Sequence, residues 1–243
     1  MMKSFFKYYA ILFCSFLFCT ISFCQEITGK EIQIQFTNTV GDVPLKLNET
    51  YTNDFGEKFS VSSFRFYISN ITLIDGKNNS ANFFNDKYFL IDQSDSSSQR
   101  IFLTTTLKEI TQINFMIGID SLKNVQGVQT GVLDPAKGMF WVWNTGYVMA
   151  KLEGNSSVVN APRHAFSLHI GGFKQGQNTA RPIQLEVKTN TGIVHIFADI
   201  NCWFKCVHNL PLKENYFCHE PGNKAMKFAD NYSKMFSILQ NNE

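Results

Sequence analysis

Residues 59–75, Phe-Ser-Val-Ser-Ser-Phe-Arg-Phe-Tyr-Ile-Ser-Asn-Ile-Thr-Leu-Ile-Asp, form the longest β-type segment of the chain. Its apolar side chains recur at alternate positions, with one break in the middle: Phe64, Phe66, Ile68, Ile71 and Leu73. A repeat of two is that of a strand with one buried face. We therefore expect one long strand with a bend near Ser69-Asn70, followed by a turn at 75–80.

The same alternation recurs outward from this segment in both directions. It is clearest in three stretches: 32–37, 113–119 and 183–188. Further strands are expected near five others: 87–92, 100–105, 138–153, 164–172 and 192–200. So many short strands separated by polar turns predict an all-β protein, an antiparallel β-sandwich.

Only the C-terminal segment has the three- and four-residue spacing of a helix. After Pro221, apolar residues recur at Met226, Ala229, Tyr232, Met235 or Phe236, and Leu239. Proline suits a first helical turn. The spacing predicts a C-terminal α-helix that flanks the sandwich.

The N-terminus has the pattern of an export signal. Lys3 and Lys7 precede an uncharged, mostly apolar run over 8–23. We expect a signal peptide at 1–24 and a single domain at 25–243, in a protein exported to the periplasm or cell surface. A lipid anchor at Cys24 ranks second, and a retained membrane anchor third, because the run is short for a bilayer span. No later segment is apolar enough to cross a membrane, so the mature chain is expected to have no transmembrane segment.

Charge and missing motifs narrow the function classes. The chain has 22 basic and 20 acidic residues and no basic run, which argues against nucleic acid as a partner. It has no Gly-x-Ser-x-Gly, His-Glu-x-x-His or phosphate-binding glycine loop. We therefore expect a protein that is not an enzyme.

Three cysteines follow the predicted signal peptide: Cys202, Cys206 and Cys218. An odd number in an oxidising compartment predicts one disulfide and one free or metal-bound thiol. Cys202 and Cys206 can pair directly only if their segment turns, because an extended strand holds them roughly 13 Å apart. Pairing of either with Cys218 is an equal alternative.

Residues 138–147, Gly-Met-Phe-Trp-Val-Trp-Asn-Thr-Gly-Tyr, contain two of the three tryptophans. In one extended strand, alternate residues would share a face: Met139, Trp141, Trp143, Thr145, Tyr147 and Met149. This aromatic stripe has three interpretations: core that faces the second sheet, a stacking platform for a flat ligand, or a site where tryptophan is chemically altered to bind metal.

Three histidines are candidate metal ligands. His169 lies on a predicted strand and precedes Gly171-Gly172, where missing side chains allow close approach to the backbone. His208 and His219 lie near the cysteines, and imidazole with thiolate suits copper or zinc. The alternatives are a hydrogen-bonded strand histidine and a disulfide-pinned loop with ordinary surface histidines.

Several blocks, in this order, resemble the MbnP-like family. They are Phe64–Ile71, Ile117–Ser121, Gly131–Tyr147, His169–Gly172 and Ala229–Phe236, and the most specific is Gly-Met-Phe-Trp followed by Gly-Tyr. The resemblance implies an exported β-sandwich that binds Cu(I) or Cu(II). It also implies oxidation of a tryptophan, Trp141 or Trp143, to kynurenine by a dihaem partner of the MauG or cytochrome c peroxidase type, with His169 as the matching imidazole.

The predicted function is an exported metal-binding protein that acquires or handles copper, with Trp141, Trp143, His169, His208 and His219 as candidate ligands. The alternative is a non-catalytic ligand-binding or structural β-sandwich whose tryptophan stripe is core or a stacking platform. An enzyme built on the histidine and cysteine cluster ranks last, because no nucleophile, base and orienting residue can be assembled from the sequence.

Overall fold

The computed structural model of the protein describes residues 29–83, 87–144, 146–189 and 192–238. The predicted signal peptide at 1–24 lies outside these residues and stays a prediction. Within the described ranges, no helix is long and apolar enough to cross a membrane.

Strands dominate the described chain. The strands are β1 (Lys30–Val40), β2 (Val43–Pro44), β3 (Thr50–Thr52), β4 (Lys58–Ile74), β5 (Ser80–Phe83), β6 (Phe89–Asp92), β7 (Arg100–Thr105), β8 (Ile110–Ile117), β9 (Phe140–Trp141), β10 (Gly146–Asn155), β11 (Ala165–Gly171), β12 (Arg181–Thr189), β13 (Ile193–Asp199), β14 (Phe217–Cys218) and β15 (Phe236–Ile238). The helices are α1 (Ser121–Val125), α2 (Asn201–Phe204), α3 (Leu212–Asn215) and α4 (Asn223–Tyr232), with single 3-10 turns at Gly131–Leu133, Pro135–Lys137 and Pro162–His164.

The strands form two sheets. The smaller has the order β15-β13-β1-β2, with β7 also paired to β1. The larger has the order β12-β8-β4-β10-β11-β14, with β3, β5 and β6 paired to β4 and β9 paired to β10. The main core contains residues of both sheets; Phe36 of β1, for example, makes edge-to-face contacts with Phe66 of β4 and Phe115 of β8. The predicted all-β sandwich is confirmed.

The long strand organises the larger sheet as the sequence predicts. β4 pairs with β10 over its first half and with β8 over its second. Within the pairing with β8 the register shifts between Ser69 and Thr72, and Asn70, which lies there, adopts a left-handed conformation with φ of 52°. Asparagine tolerates this region better than most residues, so the predicted bend at Ser69-Asn70 is present.

Pairing is mixed rather than wholly antiparallel. β1 pairs with β13, and β11 with β14, in parallel. Alternation along a strand specifies which face is buried but not the direction of its neighbour, so this feature could not be predicted from period two.

Two predicted elements are wrong in extent. The single strand at 138–153 is interrupted: β9 and β10 pair as a hairpin, and residues 142–144 lie in its turn. The C-terminal helix ends at Tyr232 instead of continuing through Met235 or Phe236. Phe236 pairs with Ala198 as part of β15, because its side chain is buried among the core phenylalanines. Leu239 lies outside the described residues.

Of the possible disulfide pairings, the structure contains Cys202–Cys206, and Cys218 is free and buried. The segment turns as α2, which brings the two Cα atoms to 5.0 Å, within disulfide reach. The turn that direct pairing requires is therefore present.

A buried asparagine holds residues 202–208, which contain the disulfide and are called the disulfide loop, against α4. The Asn231 amide nitrogen donates to the carbonyl oxygens of Trp203 and His208, at 3.0 and 2.9 Å. Its Oδ1 accepts from the backbone N–H groups of Val207 and His208, at 2.9 and 2.7 Å. One fully buried side chain thus satisfies four backbone groups of the loop.

We expect Asn231→Ala to lower the free energy of unfolding by about 2–3 kcal/mol, because it leaves buried backbone groups without partners. Urea unfolding with the disulfide intact measures this. Lys227→Ala, at an exposed position of the same helix, is the matched control and should change little. Equal stabilities of the two variants would contradict the assignment.

Candidate metal site

The outer face of the larger sheet carries the candidate residues. Side chains alternate between the two faces of a strand, and on β11 Phe166, Leu168 and Ile170 belong to the main core. Ser167, His169 and Gly171 therefore lie on the outer face. On the neighbouring strand, Lys151 and Glu153 pair directly with His169 and Ser167. The polar residues of two strands thus meet on one surface.

Loops cover the adjoining part of this face and enclose a second hydrophobic cluster. Its buried members are Tyr67, Ile119, Leu133, Met139, Trp141, Tyr147, Val148 and Met149. Two phenol groups fix the covering loop: the Tyr67 hydroxyl donates to the Val132 carbonyl, and the Tyr147 hydroxyl to the Leu133 carbonyl, at 3.0 and 2.9 Å. Most of the predicted aromatic stripe is therefore packing, but against loops and not against the second sheet.

The two tryptophans are separated by the hairpin turn. Trp141 is 5% exposed and its indole lies on Gly171, where an added Cβ would be only 2.8 Å from the ring. Trp143, in the turn, is 66% exposed. The two rings still contact each other, with centroids 5.5 Å apart. The close approach expected at Gly171-Gly172 is thus made, at Gly171, by an indole. Thr145, placed in the same stripe by the sequence, lies outside the described residues.

His169 meets His219, which follows β14. Their rings are stacked, with centroids 3.9 Å apart and planes 14° apart. His219 also contacts the Phe217 ring at 4.2 Å. Two of the three predicted histidines therefore lie together on the outer face of the sheet.

Two further polar groups complete this cluster. The Ser167 hydroxyl lies 2.6 Å from Nε2 of His219 and 3.2 Å from Nε2 of His169. Oε1 of Glu153 lies 2.7 Å from Nε2 of His169, and its other oxygen lies 3.3 Å from the Lys151 ammonium. We call Lys151, Glu153, Ser167, His169 and His219 the histidine cluster.

Burial and neighbouring charges determine its protonation. Burial, and then the adjacent His169, lower the pKa of His219 to about 4. Burial alone would raise the pKa of Glu153, but its hydrogen bond with His169 and the Lys151 charge lower it to about 2. At neutral pH His219 is therefore an uncharged imidazole, which is the form that binds metals, and Glu153 is a carboxylate.

An open cavity of about 360 Å³ adjoins His219. Trp143 and Phe217 contribute aromatic wall, and Cys218 with the segment 220–225, which leads into the first turn of α4, contributes the rest. Trp141 lines a smaller neighbouring space of about 40 Å³ beside Gly172. Trp143 and His219 thus share one solvent-connected space, whereas Trp141 lies behind it.

His208 lies elsewhere. Its Nε2 is 3.0 Å from Oδ2 of Asp230 on α4, and Arg181 donates to the other oxygen of that carboxylate. These contacts hold the disulfide loop to α4. The structure therefore brings His219, and not His208, to His169.

The available donor groups limit which metal could bind. Among the residues that the structure describes, no group of three or more His, Cys, Asp or Glu side chains is arranged to hold an ion. Two imidazoles suit copper, and one of them is uncharged and borders open space. The residues fit a low-coordinate ion that takes its remaining ligand from another kind of side chain or from solvent.

Sequence reasoning did not single out Glu153 or Ser167. Both were visible as polar members of alternating strands, Lys-x-Glu on β10 and Ser-x-His on β11. What was missing was the register that places β10 beside β11, which no local pattern specifies.

The fold and the site define a class of protein: a β-sandwich whose larger sheet carries, on its outer face, a loop-covered aromatic cluster that includes Trp141 and a pair of stacked histidines. The family model described as MbnP matches residues 29–225, and the chain belongs to that family.

Among solved structures, MbnP from Methylosinus trichosporium is similar in fold. The two share 11% sequence identity with a TM-score of 0.55, over 74% of this chain and 79% of that one. No curated protein sequence matches the chain.

We expect stability to fall on acidification between pH 6.5 and about 4. The pKa of His219 is about 4 in the folded protein, against an ordinary histidine value of 6.5, so the unfolded chain binds more protons in this window and stability is lost as pH falls. Urea unfolding over this range should show a shallower dependence in His219→Gln than in the parent. His195→Gln, at an exposed histidine, should keep the parent slope. The same slope in all three proteins would contradict the depressed pKa.

Proposed function

We propose that this protein is an exported copper-binding protein, and a binding protein rather than an enzyme. The observation that carries the proposal is the stacked pair His169 and His219, of which His219 borders a cavity that Trp143 also lines. The resemblance to MbnP-like proteins implies copper, and imidazole is a suitable copper ligand. His169 and His219 would hold the ion.

Trp143 is the tryptophan we propose as the third ligand, after oxidation to kynurenine. Indole nitrogen is only a donor, whereas kynurenine has an aryl amine with an available lone pair. Trp143 is two-thirds exposed and borders the cavity shared with His219, so it is accessible and has room to change shape. Trp141 is packed on the Gly171 backbone, where ring opening would displace the strand.

The modification needs an external oxidant. Cleavage of the indole C2–C3 bond adds two oxygen atoms, and hydrolysis then releases C2 as formate and frees the aryl amine. Two molecules of hydrogen peroxide, acting through a dihaem partner of the MauG or cytochrome c peroxidase type, would together account for the two added oxygen atoms and the four electrons removed, and two molecules of water would form. The proposed role is copper acquisition or handling in the periplasm or at the cell surface.

Mass spectrometry of protein isolated from its native host tests the modification. We expect a peptide containing Trp143 that has lost one carbon and gained one oxygen relative to tryptophan, with Trp141 unchanged. Trp143→Phe should remove the altered peptide. An unmodified Trp143 would contradict this part of the proposal, and modification at Trp141 would reassign the ligand.

Copper titration of the same native-host protein tests the ligands. We expect His169→Ala and His219→Ala each to weaken copper binding by at least tenfold, since each removes an imidazole donor. His208→Ala is the matched control, because that imidazole is bonded to Asp230, and should leave the affinity unchanged. Equal affinity in all four proteins would defeat the copper proposal.

A second candidate function is a sandwich that binds a flat ligand by stacking. The exposed rings of Trp143 and Phe217, on one cavity, favour it. Tryptophan fluorescence discriminates the two: copper quenching that His169→Ala abolishes supports the metal site. Emission that copper does not affect, in protein isolated from the native host, supports the stacking platform.

A further inference from the structure

We propose that Glu153 is a positioning residue that fixes the Nε2–H tautomer of His169, so that this imidazole presents Nδ1 to the metal. The inference rests on the proposed function for its consequence in metal binding. The tautomer itself is a property of the metal-free protein.

Hydrogen-bond chemistry carries the first step. The Lys151 ammonium pairs with Oε2 of Glu153 at 3.3 Å, and a carboxylate paired in this way only accepts hydrogen bonds. Its Oε1 lies 2.7 Å from Nε2 of His169, so Nε2 carries the hydrogen and donates it. In a neutral ring the remaining lone pair is then on Nδ1, which is the nitrogen free to bind an ion.

The sheet holds the carboxylate in place. Glu153 pairs with Ser167, and Lys151 pairs with His169, across β10 and β11. The Glu153 contact with His169 therefore runs diagonally across two hydrogen-bonded strands. The Lys151 ammonium, 3.3 Å from Oε2 and only 13% exposed, binds the second oxygen. The carboxylate is restrained from both ends and cannot reorient without breaking an ion pair.

Because His219 stacks on His169, it matters which ring nitrogen of His169 carries the hydrogen. Nε2 of His219 is 2.6 Å from the Ser167 hydroxyl, which is also 3.2 Å from Nε2 of His169. The Nε2 atoms of both rings are thus engaged with the same polar cluster. A carboxylate that orients a metal-binding histidine in this way typically contributes ten- to a hundredfold to affinity.

Nitrogen-15 NMR of the metal-free protein tests the tautomer. Spectra recorded at about two pH units above the ordinary histidine pKa should show His169 as the Nε2–H form. Glu153→Ala should give a mixture of tautomers, and Glu153→Gln should restore the parent form, because the amide oxygen accepts the same hydrogen bond. Glu220→Ala, which removes an exposed carboxylate at the same cavity, is the matched control and should leave His169 unchanged.

Loading with Cu(I) tests the consequence. We expect the coordination shift of His169 at Nδ1, copper affinity about ten- to a hundredfold weaker in Glu153→Ala, and recovery in Glu153→Gln. An Nδ1–H or doubly protonated ring in the parent, an unchanged tautomer in Glu153→Ala, or coordination through Nε2 would overturn the proposal. A parent protein that binds no copper would refute the proposed function, while the metal-free spectra still decide the role of Glu153.

Discussion

The alternation of side chains on the larger sheet is the constraint on which the rest of the structure depends. Its inner face joins the main core, and its outer face has no second sheet against it in the part of the chain that the structure describes. Aromatic residues on part of that face, such as Tyr67 and Tyr147, are buried by loops. The remainder carries the histidine cluster. One strand register therefore determines both the packing of the loop layer and the placement of the candidate ligands.

The hairpin turn at 142–144 gives two neighbouring tryptophans different environments. In one continuous strand, both indoles would occupy one face at equal depth. Because the chain reverses between β9 and β10, Trp141 is fixed on Gly171 while Trp143 extends into solvent. The buried ring supports the exposed one, with centroids 5.5 Å apart. An accessible ring held on a rigid support, as Trp143 is on Trp141, is suited to chemical modification or to contact with a ligand.

Much of the fold was predictable because it is encoded locally. The alternation along 59–75 predicted the long strand, and the break before Ile71 predicted its bend at Asn70. Non-local features were not predictable in this way. Phe236 fits a helical repeat and a strand equally well, and its burial against Phe36 and Phe115 decides the outcome. The parallel pairing of β1 with β13 likewise depends on contacts between distant segments. The candidate site likewise has one part that local sequence signals predicted and one part that depends on non-local contacts. His169 was identified through its glycine neighbours, a local signal, whereas His208 and His219 looked equivalent because each lies near a cysteine. They differ because β14 adds in parallel beside β11 and brings residue 219 over His169, while Asp230 on α4 binds His208.

The electrostatics of the histidine cluster follow from this placement. Two stacked imidazoles 3.9 Å apart repel each other if both are protonated, and burial adds to the cost of a second charge. Glu153 contacts the His169 ring, whereas burial and the adjacent His169 lower the pKa of His219. The pair is thereby made unequal: one ring is bound to a carboxylate and the other is kept neutral beside open space. In a site built from such unequal imidazoles, His219 has a ring nitrogen that can bind a metal at neutral pH without first losing a proton. Acid abolishes this ability only by protonating His219 itself.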